Sequence, residues 1–572
     1  MTKMSTFEET TAVTEFRVED QRWWERRVTA IAITVLLYAT LVVVLGGRAH
    51  LGGDTGGRAA VLAAVDTGEH GHYDVGYWAM ADDPDLALHP LYYTQTLDGR
   101  AQQLSTLPMV LLARPLFAVG GEPAALVVPM LGALAAALAA AELARRLGAS
   151  RPMGAYWMVA MASPITLYAL DLWEHTLGLA FAMWGIVALE GRGWNPLVRG
   201  LVAGGLFGVG ATMRTEVLVS GAVFGAAACV GHVIDRERAT AARLAIGGAT
   251  GAGGAWIAND LLARLGLGAS VRSGRAGDVA GRAGTALADR VDDAWVTLAG
   301  LNYADRSTDR LLGGAIVVAL MLGAYFAVRG RRQFAVLSLL LAALAFGVRL
   351  VAGLSFLPGL VPVFPLVAVG AVVGLAHGRT RRLTFAALAT LPAVWLTAYA
   401  GMPGAQWGGR YLFVGGCVLA TIALVPVLRP TFIRTTVVAL GGVVTLIGLL
   451  YLSVRSDEIE RAQAAIDQYE LLDVDLIVAE APFLWRELGS DYDPGEARLT
   501  VVDPAQYRRV SNIAKRRGFD SIVVLRESDR ESPSLPGYGI VVEDPFPWVG
   551  RNLTAVLYVV GESDDSDESG AS

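Results

Sequence analysis

Residues 28–46 have the sequence VTAIAITVLLYATLVVVLG, a run of 19 residues without a charge. A helix of about 20 apolar residues is long enough to cross the hydrocarbon core of a bilayer. Runs of similar length recur along the chain between short arginine-rich joints, and 54% of the 572 residues are hydrophobic whereas 17% are charged. This composition excludes a soluble or disordered chain, and two cysteines are too few for a disulfide scaffold. The sequence therefore predicts a polytopic α-helical membrane protein.

The arginine-rich joints predict the orientation of the apolar runs, because short basic loops lie on the cytoplasmic side. Counting runs between these joints predicts about thirteen transmembrane helices in a membrane domain over 28–455. The expected spans are 28–46, 123–144, 152–170, 172–190, 197–213, 217–234, 243–265, 311–328, 333–350, 357–376, 383–400, 411–428 and 433–453. Segment 105–120 contains Arg114-Pro115 and is expected to be interfacial or re-entrant.

The odd number of spans places the two ends of the chain on opposite faces of a cytoplasmic membrane. The N-terminal segment 1–27 is expected in the cytoplasm, with the first span as an uncleaved anchor. Residues 456–572 carry 11 basic and 24 acidic side chains, which suits an extracytoplasmic location. A small α/β domain is expected over 456–560, followed by a disordered acidic tail, 561–572. Its expected strands lie in 475–480, 498–503 and 521–527.

The first extracytoplasmic loop, 47–104, is far longer than an ordinary helix connection. Asp54 lies in it only about eight residues after the first span, within the glycine-rich stretch GGDTGG. Glycines allow a ligand to approach the backbone closely. A carboxylate shielded at the membrane face would have its pKa raised by desolvation and could serve as a general base. The alternative is that Asp54 is a solvated surface residue.

Further polar groups fall at the outer turns of the predicted hairpins. Charges at such depth pair with each other or line a functional cavity. An arginine fork also suits the oxygens of a lipid phosphate, although a structural ion pair or an interfacial anchor would explain these arginines as well. The groups are Asp171, Glu174 and His175 in one turn, Arg214 and Glu216 in a second, and Arg410 with Trp407 in a third.

These segments together resemble the C-type glycosyltransferase superfamily of integral membrane enzymes, in particular its protein-mannosyltransferase and aminoarabinose-transferase-like members. The resemblance covers 28–455 as architecture and rests on GGDTGG, SPITLYALDLWEHT, ATMRTE and QWGGRYL. It implies a polyprenyl-phosphate-linked sugar donor, a cell-envelope acceptor and transfer with inversion at the outer membrane face. It also implies that Asp54 is the catalytic base.

The resemblance assigns expected roles to the other polar residues. Thr55 follows Asp54 where many members have a second acidic residue, so a second carboxylate would come from Asp171, Glu174 or the stretch 66–74. A divalent cation is left open as a cofactor, and no nucleic-acid partner is expected. The donor phosphate is assigned to Arg410, Arg214 and Arg58, and substrate contacts to His70, Tyr77, Trp78, His175, Glu216 and Trp407.

Two other classes of protein compete with this interpretation. A secondary transporter or a flippase for lipid-linked sugars would be expected to show internal repeats, and the sequence has no convincing repeat while its polar groups gather on one face. A non-catalytic scaffold that displays the terminal domain leaves loop 47–104 unexplained. The terminal domain itself is expected to serve acceptor binding or assembly.

Overall fold

The computed structural model describes most of the chain, with gaps mainly at the ends and in the longer loops. The described residues are 26–46, 51–67, 73–97, 99–103, 107–191, 193–267, 287–302, 308–351, 356–397, 407–425, 431–481, 483–489, 492–548 and 552–561. The segment 1–25, most of the expected loop 266–310 and the tail from 562 lie outside the described residues.

Helices make up most of the described chain. In order they are α1 (Arg26–Val44), α2 (Gly53–Thr67), α3 (Leu107–Ala125), α4 (Val127–Arg146), α5 (Met153–Met161), α6 (Ile165–Tyr168), α7 (His175–Leu189), α8 (Pro196–Met213), α9 (Glu216–Ile234), α10 (Arg238–Leu267), α11 (Leu287–Ala299), α12 (Thr308–Val328), α13 (Arg332–Val351), α14 (Leu360–Val363), α15 (Leu366–Ala376), α16 (Gly378–Thr397), α17 (Phe413–Ala423), α18 (Thr431–Leu471), α19 (Leu484–Glu487) and α20 (Tyr507–Arg517). The strands are β1 (Thr94–Leu97), β2 (Arg100–Gln103), β3 (Leu476–Ala479), β4 (Arg498–Thr500), β5 (Ser521–Glu527), β6 (Tyr538–Phe546) and β7 (Leu553–Val560).

The polytopic helical fold is confirmed. Among the described residues, seven helices are long and apolar enough to cross a membrane, namely α1, α4, α8, α9, α12, α13 and α18, and shorter apolar helices accompany them. A helical segment occupies each of the thirteen expected places. Two expected spans are interrupted, the first into α5 and α6 and the second into α14 and α15, with Pro164 and Pro365 at the start of the second piece. Proline lacks the N–H that would continue the preceding helix, which accounts for both interruptions.

Helices α8 and α10 are in close contact, and glycines spaced four apart lie at this contact. A Cβ atom added at Gly204 would lie 2.1 Å from the carbonyl oxygen of Gly248, and one at Gly251 would lie 2.3 Å from that of Leu201. Only a residue without a side chain permits this approach, so the glycines account for the close packing of these two helices.

Segment 105–120 forms most of α3, which bends at Gly120–Gly121. Gly121 has φ +64°, a backbone conformation that side-chain-bearing residues rarely adopt. Helix α3 contacts α2 and α4. Its interfacial or re-entrant position remains a prediction.

The terminal domain is a five-stranded sheet in the order β4-β3-β5-β7-β6. The three predicted strands are confirmed as β3, β4 and β5, which run parallel, and β7 and β6 extend the sheet in antiparallel fashion. Helix α18 is continuous over 41 residues and leads from the apolar bundle into this domain.

Loop 47–104 packs against the terminal domain. It contains α2, β1 and β2, and its buried residues Leu62 and Leu88 share one hydrophobic core with Val510 and Tyr558 of the domain. The backbone N–H of Thr500 donates to the carbonyl oxygen of Leu88 (2.9 Å). The loop and the terminal domain therefore pack as one unit above the helices.

Several basic joints meet at the other end of the bundle. Arg27 pairs with Glu142 at 3.0 Å, and Arg382 pairs with Glu190 at 2.8 Å. Arg379 donates to the carbonyl oxygen of Arg146 at 3.0 Å. The bundle thus has one arginine-rich end and, opposite to it, the end that carries loop 47–104.

Candidate functional site

Asp54 lies in the first turn of α2, and its side chain is 33% exposed. Its Oδ1 accepts a hydrogen bond from Nη2 of Arg486 at 2.7 Å, and Nη1 of Arg410 lies 3.8 Å from its Oδ2. Arg486 belongs to α19 of the terminal domain, whereas Arg410 directly precedes α17 of the helix bundle. The candidate carboxylate therefore sits between guanidinium groups from the two parts of the chain.

The glycines around Asp54 permit the contact between α2 and α19. A Cβ atom at Gly56 would lie 1.7 Å from the carbonyl oxygen of Arg486, and one at Gly489 would lie 2.1 Å from the carbonyl oxygen of Gly56. No side chain fits into such a gap. The glycine-rich stretch thus serves to bring a second polypeptide segment against Asp54, rather than to open the backbone to a ligand.

The electrostatic environment of Asp54 is opposite to the one expected from the sequence. Burial tends to raise the pKa of Asp54, but Arg486 and then Arg58, Arg410 and Arg214 outweigh burial, and the pKa lies below its ordinary value. The expected rise in pKa is wrong, because the attraction of the surrounding arginines for the carboxylate exceeds the effect of desolvation.

A second layer of ion pairs lies beneath Asp54. Arg58 donates to the carbonyl oxygen of Asp54 at 2.6 Å and pairs with Glu174 at 2.6 Å. Arg214 pairs with Glu174 at 3.2 Å and with Glu216 at 2.9 Å. Glu174 is almost fully buried, accepts a hydrogen bond from Arg214 and forms an ion pair with Arg58. Each charge in this layer faces an opposite charge, which is what the burial of ions requires.

Asp171 is fully buried and accepts a hydrogen bond from the hydroxyl of Thr55. Thr55 therefore contacts a carboxylate from another part of the chain. This contact ties the beginning of α2 to the turn before α7.

Aromatic rings hold Arg410 in place. Its guanidinium carbon lies 4.4 Å from the ring centroid of Trp173 and 4.8 Å from that of Tyr411, and its Nη2 donates to the Tyr411 hydroxyl at 2.7 Å. Such stacking restricts an arginine without neutralising it. Within the described residues, the buried Nε atoms of Arg410 and Arg486 have no hydrogen-bond partner.

His175 and Trp407 lie behind this group. Nδ1 of His175 is 4.0 Å from Glu216, and its ring packs edge-on against Tyr168 at 5.1 Å. The backbone N–H of Trp407 donates to the Tyr168 hydroxyl at 3.1 Å. Tyr168 in turn stacks on Trp173 at 5.6 Å. His175 and Trp407 therefore support the site from within the bundle.

The remaining expected residues of loop 47–104 lie elsewhere. Tyr77 donates to Asp83 at 2.8 Å, and Trp78 donates from its indole nitrogen to the carbonyl oxygen of Arg498 at 3.2 Å. The first contact lies within loop 47–104, and the second joins the loop to the terminal domain. His70 lies outside the described residues, as does the side chain of Asp66.

No metal ligand set is present in the parts of the chain that the structure describes. Within them, no group of three or more His, Cys, Asp or Glu is arranged to hold a metal ion. The carboxylates nearest to Asp54 face arginines or a hydroxyl instead. We assign no divalent cation to these residues.

Arg486 is the site residue that the sequence analysis did not identify. It is buried, and Arg455 of α18 pairs at 2.5 Å with the neighbouring Glu487 on the same short helix. Nothing in the stretch APFLWRELG marks this arginine, and the one available signal was the glycine pattern around Asp54, which indicates a close approach without naming the partner.

Comparison with solved structures finds several similar chains, among them the following three. The chain is similar to ArnT from Cupriavidus metallidurans, with 13% identity, a TM-score of 0.46, and coverage of 94% of this chain and 98% of that one. It is similar to the oligosaccharyltransferase of Archaeoglobus fulgidus, with 11% identity, a TM-score of 0.42, and coverage of 86% and 68%.

The third solved structure is the arabinofuranosyltransferase AftD from Mycobacteria, with 14% identity and a TM-score of 0.38. The similarity covers 95% of this chain but 40% of AftD. No family model and no curated protein matches the sequence. Because all three TM-scores are low, we base the proposed function on the side-chain contacts of this chain.

Proposed function

We propose that this chain is a membrane glycosyltransferase that transfers a sugar from a polyprenyl-phosphate-linked donor to a cell-envelope acceptor with inversion. The observation that carries the proposal is the position of Asp54, a partly exposed carboxylate held between Arg486 and Arg410. A carboxylate suits an acceptor hydroxyl and guanidinium groups suit a phosphate. The reaction needs both on adjoining surfaces.

The reaction is a single displacement at the anomeric carbon. The acceptor oxygen forms a bond to this carbon while the bond to the phosphate oxygen breaks, and the bonding electrons leave with the phosphate. The hydroxyl proton passes to Asp54. The charge that develops on the departing polyprenyl phosphate is stabilised by the guanidinium groups of Arg410 and Arg486.

Donor binding also activates the base. Without a donor, Arg486 and Arg410 hold Asp54 as a carboxylate of low basicity. A phosphate can accept hydrogen bonds from the same guanidinium groups and so competes with the carboxylate for them. Their transfer to the phosphate weakens the hold on Asp54 and raises its proton affinity. The base thus becomes effective when the donor is in place.

The buried carboxylates act as positioning residues in this proposal. Glu174 orients Arg58 and Arg214, and Asp171 orients Thr55 at the start of α2. Both lie beneath Asp54 rather than beside the space that it faces. The proposed general base is Asp54 alone, with Arg58 and Arg214 contributing positive charge to the site.

We place the site on the outer face of a cytoplasmic membrane, with the terminal domain extracytoplasmic. The support is the position of the basic joints at the opposite end of the bundle. An outward site can receive an acceptor from the cell envelope while the polyprenyl chain stays in the bilayer.

The test is transfer of labelled sugar from a panel of polyprenyl-phosphate donors in membranes that contain the wild-type chain or Asp54→Asn. A positioned general base contributes about 100-fold or more, so the variant should retain expression and lose transfer by at least about that factor. Asp85→Asn is the matched control, because Asp85 lies in the same loop and its side chain is 63% exposed. It should match the wild type.

Equal transfer by Asp54→Asn and the wild type would refute Asp54 as the base. Absence of transfer by the wild type with every donor, together with movement of a labelled lipid-linked sugar across the membrane, would replace the enzyme by the transporter or flippase.

A further inference from the structure

A large cleft opens at the arginine-rich end of the bundle, far from Asp54. It has a volume of about 1290 Å³ and is lined by residues of α4, α7, α9 and α16 and their connections. Helix α7 begins with His175 in the candidate site, and Glu190 directly after its last residue lines the cleft. At about 1.5 Å per residue, His175 and Glu190 are about 22 Å apart along the helix axis.

The cleft is strongly basic. Its lining contains five arginines and the carboxylates Glu190 and Asp235; Arg145 and Arg146 pair with Glu142, and Arg382 pairs with Glu190. The arginines are Arg145, Arg146, Arg379, Arg381 and Arg382. A positive excess on this scale attracts a ligand with more than one negative charge or a ligand in an anionic environment.

Arg379 and Arg381 are available to bind an anionic ligand. Arg379 donates to the carbonyl oxygen of Arg146 at 3.0 Å, and Arg381 donates to that of Leu375 at 3.2 Å. Neither forms an ion pair with a carboxylate in the described part of the chain. Both side chains are exposed, so their guanidinium groups can reach a phosphate.

The same cleft presents large apolar side chains to the outside. Trp194 is 54% exposed, Phe385 is 58% exposed and Ile234 is 74% exposed, and all three line the cleft together with the arginines. A soluble anion would leave this apolar surface uncovered. A molecule with a charged head and hydrocarbon chains would cover it.

We propose that this cleft binds an anionic phospholipid of the surrounding leaflet. Its phosphate lies against Arg379 and Arg381, and its acyl chains lie along Trp194, Ile234 and Phe385. Basic pockets between membrane helices suit anionic headgroups, because the guanidinium groups meet the phosphate where the apolar helix surface ends. The site is independent of the proposed transfer reaction and lies at the other end of the molecule.

The experiment measures binding of phosphatidylglycerol to the purified full-length protein in detergent by native mass spectrometry. Phosphatidylcholine and inorganic phosphate are compared at equal phosphate concentration. Each arginine near an anionic lipid contributes about 1 kcal/mol, so Arg379→Gln with Arg381→Gln should weaken phosphatidylglycerol binding about 30-fold. Each single variant should weaken binding about fivefold.

The matched control is Arg329→Gln with Arg331→Gln, in the turn between α12 and α13, which does not line the cleft. This pair should leave phosphatidylglycerol binding unchanged. Unchanged binding in Arg379→Gln with Arg381→Gln would overturn the proposal. Equal binding of phosphatidylcholine would also overturn it, as would displacement of phosphatidylglycerol by inorganic phosphate at equal concentration. If the double variant misfolds, the single variants provide the test, and unchanged phosphatidylglycerol binding in both would overturn the proposal.

Discussion

At the scale of single residues, the protonation of Asp54 is governed by the arginines around it. Burial alone would raise its pKa, and Arg486 is the largest opposing influence. The carboxylate therefore stays ionised to a lower pH than an isolated aspartate, and the acid limb of the pH profile of kcat/KM should lie below the ordinary carboxyl range.

Replacing Arg486 by Gln should shift the acid limb of the pH profile of kcat/KM, and the direction of the shift tests whether Arg486 lowers the pKa of Asp54. Loss of a neighbouring arginine raises the pKa of an aspartate by about 1 to 3 units, so the acid limb should move to higher pH by about that amount. Arg508→Gln, an exposed arginine of the same domain, should leave the limb in place. A profile of Arg486→Gln that coincides with the wild type would show that Arg486 does not act on Asp54.

At the scale of elements, close contact between helices depends on individual glycines, which have no side chain. Gly204 and Gly205 are adjacent in α8, yet a Cβ atom at Gly204 would meet the backbone of Gly248, whereas one at Gly205 would meet nothing within 4 Å. The two positions separate the effect of packing from that of helix propensity.

Gly204→Ala should destabilise the bundle and Gly205→Ala should not. Overpacking of a tight interface costs about 1–3 kcal/mol, whereas alanine at an open helical position is neutral or slightly favourable. Thermal unfolding of the purified variants in detergent measures the difference as a change in Tm. Equal Tm values for the two variants would argue against the observed contact between α8 and α10.

At the scale of the whole molecule, the contact between Asp54 and Arg486 requires that loop 47–104 and the terminal domain lie on the same side of the membrane. The arginine-rich joints lie at the other end. From the positive-inside rule, we expect this end to lie in the cytoplasm.

Reporter fusions should report this arrangement directly. Fusions after Arg100 and after Arg455 should behave as extracytoplasmic, and a fusion after Arg331, between α12 and α13, should behave as cytoplasmic. A cytoplasmic reporter after Arg100 or Arg455 would remove the basis for an outward-facing site.

Much of this protein could be predicted from its sequence because the relevant signals are local. Apolar runs of membrane length predicted the helices, and hydrophobic stretches predicted β3, β4 and β5. Asp54 was indicated by its place in the glycine-rich first loop, and Glu174, Arg214 and Arg410 by their places at outer turns, where charges are costly. The structure brings these four residues together.

Tertiary structure alone decided which charges meet. Arg486 is far from Asp54 in sequence and reaches it because Gly56 and Gly489 let α2 and α19 touch, a contact that no local pattern encodes. The same packing reverses the expected pKa of Asp54, since that value depends on the sum of all nearby charges. It also directs Trp78 to the terminal domain rather than to the site, because a side chain in a long loop has no periodicity to reveal which surface it will meet.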